Sequence, residues 1–81
     1  MPKAPKPQDE QETFSRTLYF EGDIEIEITY PESIAFEVDE AINEYAKSGG
    51  VLFIEDFLGL DASMNGKHIS HINMKKFIGM V

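Results

Sequence analysis

The chain has 81 residues, no cysteine and a formal net charge of −8. That length suits one small domain, and the lack of cysteine excludes a disulfide framework, a thiolate metal site and a thiol nucleophile. The charge is segregated: between Thr13 and Gly66 the only bases are Arg16 and Lys47, whereas after Gly66 come Lys67, Lys75 and Lys76 and no acid. A body this acidic repels phosphate backbones, so direct nucleic-acid binding is not expected, and a protein with a basic surface is the natural partner.

Met1 to Gln11 contains Pro2, Pro5 and Pro7 and no large apolar residue after Met1. It has neither the apolar core of a secretion signal nor a run near the roughly 20 residues of a membrane span. The expectation is a soluble, cytoplasmic protein (the host cytoplasm if a phage encodes it) with a disordered tail over residues 1–12 and one α+β domain over 13–81.

Thr13 to Glu21 reads as a first strand, with Phe14, Leu18 and Phe20 on one face beside the misfit Arg16. Glu21-Gly22-Asp23 supplies a turn, because Gly22 can take a positive φ. Asp23 to Tyr30 alternates strictly: Ile24, Ile26, Ile28 and Tyr30 on one side, Glu25, Glu27 and Thr29 on the other. This is the clearest strand pattern in the chain, and it predicts a hairpin with the first strand. Pro31 ends it.

From Ile34 the period changes, and Ile34, Val38, Ala41, Ile42 and Tyr45 recur at helical spacing. Ser33 is the expected N-cap, Lys47 suits the last turn and Gly49-Gly50 stops the helix. The alternative makes Ile34 to Val38 a strand, with the helix starting at Asp39. Phe36 falls among acids, off the apolar stripe.

Val51 to Leu58 reads as a third strand, central because its first four residues are all apolar. Gly59 to Lys67 reads as a loop holding an Asn65-Gly66 turn, with Leu60 and Met64 able to fold back. His68 to Asn73 is expected as a fourth strand and Met74-Lys75-Lys76 as a turn. Phe77 to Val81 is expected to be a fifth strand or to dock on the core or a neighbouring subunit. The order is ββαβ(β), an antiparallel or mixed sheet with one helix on one face.

Chemistry-bearing patterns are sparse. His68 and His71 could share a metal on a helix, but a strand places them on opposite faces, and Glu55 or Asp56 would have to complete the site. Glu25 and Glu27 stand roughly 7 Å apart on one side of a strand and read as solvated acids rather than a catalytic pair. No nucleophile–base set, phosphate loop, metal or cofactor site is assigned, and no enzymatic activity is expected.

The leading expectation is a non-catalytic acidic interaction module, a regulator or inhibitor of a larger protein, nucleic-acid-binding proteins included. In size and charge the chain is like accessory proteins of phages and plasmids. Mimicry of nucleic acid by its carboxylates is one form this could take. The expected contact residues are Glu25, Glu27, Phe36, Glu37, Glu40 and Glu44, with Tyr19 as a second aromatic anchor. The alternative is a self-assembling subunit, a homodimer or higher oligomer. It could hold a small ligand at its interface near Tyr19, His68 and His71.

Overall fold

The computed structural model describes residues 12–81. The expected tail lies outside them except for Glu12, whose carbonyl accepts the Glu32 N–H at 2.8 Å.

The first hairpin joins β1 (Thr13–Phe20) to β2 (Ile24–Pro31), antiparallel, with Phe20 opposite Ile24. Its three-residue loop needs left-handed backbone at both Gly22 (φ +85°) and Asp23 (φ +61°). The even-numbered residues of both strands face the core: Leu18, Phe20, Ile26, Ile28 and Tyr30 are buried. Pairing places Phe14 against Tyr30, with ring centroids 6.0 Å apart, edge to face.

A 3₁₀ turn over Glu32–Ile34 leads into α1 (Ala35–Ser48). Residues 35–38 are therefore helix, not strand. Ser33 lies inside the 3₁₀ turn and does not cap the helix; the N-cap position is Ile34, with no side-chain hydrogen bond. Gly49 closes α1 in left-handed conformation (φ +71°), its N–H bonded to the Tyr45 carbonyl. Val38 and Ile42 are the buried centre of the apolar stripe.

The expected long third strand is replaced by β3 (Val51–Phe53) and a 3₁₀ turn over Ile54–Asp56. The apolar run is not buried on both faces: Leu52 and Ile54 point into the core while Phe53 is half exposed at 49%. β3 therefore sits outside the main sheet, and β6 (His71–Asn73) is its antiparallel partner in a separate two-stranded sheet.

The expected loop holds a second hairpin, β4 (Asp61–Met64) and β5 (Lys67–His68). Asn65 (φ +54°) and Gly66 (φ +79°) form the two-residue turn with both residues left-handed. Leu60 is buried and Met64 half-buried against the core, as expected. The expected fourth strand, His68 to Asn73, is split: β5 belongs to the main sheet and β6 to the small one. Between them the Ile69 N–H bonds to the Ala62 carbonyl and the Ser70 carbonyl accepts from Ile54.

A 3₁₀ turn over Met74–Lys76, capped by the Asn73 side chain, leads into β7 (Phe77–Met80). β7 pairs antiparallel with β1, with a bulge at Tyr19/Phe20, and Phe20 meets Phe77 edge to face at 5.6 Å. The main sheet is thus antiparallel throughout, in the order β5-β4-β2-β1-β7.

The result is a small α+β domain. Its core joins Leu18, Ile26, Ile28 and Tyr30 of the sheet to Val38 and Ile42 of α1 and to Leu52, Ile72 and Met74. No helix among the described residues is long and apolar enough to cross a membrane.

Candidate functional site

The fold divides the expected contact residues between two surfaces. Tyr19, Glu25 and Glu27 occupy odd positions of β1 and β2, on the face of the sheet turned away from the core. Phe36, Glu37, Glu40 and Glu44 lie on α1, whose opposite side feeds that core. An α-helix advances by about 100° per residue, so Phe36, Glu40 and Glu44 fall along one exposed stripe with Glu37 beside it.

Phe36 is 77% exposed. It projects opposite Val38 and Ile42, so burying those two forces it into solvent among the carboxylates. Glu40 and Glu44 repel each other at i,i+4 spacing, and Glu37 and Glu40 at i,i+3. Beside this stripe runs a groove of about 400 Å³, walled by Glu37, Glu40 and Glu44 with Ala41, Tyr45 and Phe57 as its apolar part. Phe57 follows the 3₁₀ turn over Ile54–Asp56, and that turn brings it to the helix. A long β3 through Leu58 would carry it elsewhere.

Carboxylates over aromatic and alkyl surface suit a cation on an apolar stem. An arginine or lysine side chain can lay its methylenes on Ala41 and Tyr45, place its charge among the glutamates and face an aromatic ring.

The outer sheet face has different chemistry. Register aligns Thr17, Glu27, Ser63 and His68 in one row across β1, β2, β4 and β5. A second row sets Ser15, Thr29 and Asp61 side by side. A polar groove of about 410 Å³ follows these rows. Ser63, Thr29 and Asp61 join it only because β4 pairs with β2, a partnership hidden while residues 59–67 read as a loop.

His68 and His71 stand in different sheets. His68 is opposite Ser63, whereas His71 pairs with Phe53 and its Nδ1 lies 3.4 Å from Ser70 Oγ. Tyr19, His68 and His71 are therefore not gathered into one pocket, and no group of three or more potential metal ligands occurs among the described residues.

Among the described residues, one titratable side chain is embedded in the core. Tyr30 is fully buried, and its hydroxyl donates to Asp39 Oδ1 at 3.5 Å, tying β2 to α1. Burial pushes its pKa up from the ordinary tyrosine value, the Asp39 charge pushes the same way, and Arg16 opposes them.

No family model, curated protein or solved structure matches the chain.

Proposed function

We propose that this domain is a non-catalytic, acidic interaction module that regulates a larger protein by holding a basic segment of it against α1. The observation that carries the reading is Phe36, exposed on a stripe with Glu40 and Glu44 beside a groove with aromatic and alkyl walls. An aromatic anchor ringed by charge is the composition of an interface centre and rim. The outer sheet face, with Glu25, Glu27 and Tyr19, adds long-range attraction for the same basic partner without touching it.

The test is affinity capture from the native host with three baits: the unaltered chain, Phe36→Ala/Glu40→Lys/Glu44→Lys, and Glu25→Lys/Glu27→Lys. The expected result is one basic protein held by the unaltered chain, lost from the helix variant and retained, with a slower on-rate, by the sheet variant. Retention by the helix variant, with its fold intact by circular dichroism, would falsify the reading. If the partner binds nucleic acid and the two compete, the carboxylates act as phosphate mimics.

A second reading, a self-assembling subunit, is favoured by β7. Its outer edge pairs with no other strand among the described residues and carries no charge or proline, and Ile78 is 65% exposed beside it. Light scattering separates the two readings: a monomer at all accessible concentrations removes this one.

A further inference from the structure

An apolar hollow lies away from both acidic surfaces. It has a volume of about 430 Å³, within the size of pockets that hold small molecules. It is lined by Phe20, Ile24 and Ile26 from the end of the first hairpin, by Met64, which the β2–β4 register sets beside Ile26, and by Ile69 and Ile72. Ile24 is 43% exposed, although it belongs to the inward-facing row of β2, because this hollow and not packed core lies beneath it.

The rim reverses the charge of the rest of the body. Lys75 and Lys76 both line it, against one acid, Glu21, which leaves one positive charge unbalanced. Asn73 and His71 complete the polar edge. Asn73 is held in place: its Oδ1 accepts the Lys75 N–H at 3.0 Å, which leaves the Nδ2 hydrogens to donate outward. The lysines sit on the 3₁₀ turn that follows β6, so the same short segment shapes the cavity and charges its mouth.

We infer that this cavity binds a small amphipathic monoanion, an unbranched carboxylate whose alkyl chain lies between Ile24, Ile26, Ile69 and Ile72. Its head group meets Lys75, Lys76 and the Asn73 amide. Charge complementarity selects this occupant: one negative charge balances the rim, and an alkyl cation meets the lysines with the wrong sign. The site shares no lining residue with the α1 groove and is independent of what binds there.

The probe is decanoate, kept below micelle formation and titrated into the full chain with isoleucine methyl groups observed by NMR. Saturable one-to-one shifts are expected at Ile24, Ile26, Ile69 and Ile72, and none at Ile42 or Ile78. Octanoate should bind roughly tenfold more weakly, since each buried methylene adds roughly three- to fourfold. Lys75→Gln/Lys76→Gln, at two exposed positions, should keep the fold and weaken decanoate about fivefold. Decyltrimethylammonium, with the same chain and the opposite charge, should not saturate.

Three outcomes overturn the inference. One is the absence of saturable shifts at these methyls. Another is equal affinity for the cation, or for decanoate after loss of both lysines, which makes the cavity an unselective apolar gap. The third is a concentration-dependent dimer whose formation protects Ile24, which gives the cavity to a second copy of the chain.

Discussion

Tyr30 is where a single atom links the sheet to the helix. Its bond to Asp39 is long at 3.5 Å, so Tyr30→Phe should cost little, about 0.5–1 kcal/mol near neutral pH. The pH dependence is the sharper test. The folded state holds the phenolic proton more tightly than the unfolded chain, whose value is near 10.0. The stabilisation is therefore complete below that value and is lost as pH rises through the higher folded value. Urea titrations of both proteins should show the wild type falling faster above pH 10 and the gap to Tyr30→Phe closing. A gap that stays constant to the alkaline limit means that Tyr30 titrates as it does in the unfolded chain. The alternation of β2 marked Tyr30 as inward-facing, but Asp39 as its partner needed the crossing of α1, which no local pattern encodes. Gly22 was legible for the opposite reason: a positive φ is a property of its own few residues. Gly59 was not, because its constraint combines φ +91° with the Pro31 ring only 3.0 Å from where a Cβ would stand.

At the scale of elements, local periodicity succeeded where one face is dry and the other wet. β1, β2 and α1 all follow it, and so does the inward row from Leu18 to Tyr30; β7 was signalled only by its apolar composition. It failed over residues 51–73, where the strands are only two to four residues long and too short to show a period. The apolar run VLFI looked like a strand buried on both sides, but a 3₁₀ turn follows it after three residues. Asn65-Gly66 reads as a turn within a loop, and the structure makes it the turn of a hairpin whose strands are only four and two residues long. These two corrections bear on the candidate site, since Phe57 reaches α1 through the first and Ser63 reaches Glu27 through the second. Paired substitutions check both ends of the argument. Asn65→Ala places an ordinary side chain at φ +54° and should cost about 1–2 kcal/mol. Ser33→Ala removes a hydroxyl that caps nothing and should stay within about 0.5 kcal/mol, not the roughly 1 kcal/mol of a lost N-cap. Thermal unfolding of the two variants measures both; a costly Ser33→Ala means that the hydroxyl caps α1 after all.

For the whole molecule, charge acts on folding and on binding with opposite signs. The chain, at a net −8, repels itself, so raising salt from about 0.01 to 0.5 M, which shortens screening from roughly 30 Å to a few ångströms, should raise Tm. The same salt should weaken capture of a basic partner at α1. Calorimetry of the free protein and a binding assay across one salt series read the two trends. If both move in the same direction, the acids serve solubility and not recognition.

The pairing of β7 with β1 also brings the two ends of the described chain to the same edge. Val81 and Thr17 exchange both backbone hydrogen bonds at 3.0 Å, and Thr13 begins β1 four positions earlier, roughly 13 Å along the strand. A bridge of about six flexible residues from 81 to 12 would span that gap. The order of synthesis and the order of strands are thus separable: a chain opened between Asn65 and Gly66 and closed across β7 and β1 keeps every neighbour in the sheet while changing which strand is made first. Such a permuted protein should fold to the same circular dichroism spectrum, with loss of stability confined to the opened β4–β5 hairpin. Failure to fold would mean that the β1–β2 hairpin must form before β7 arrives.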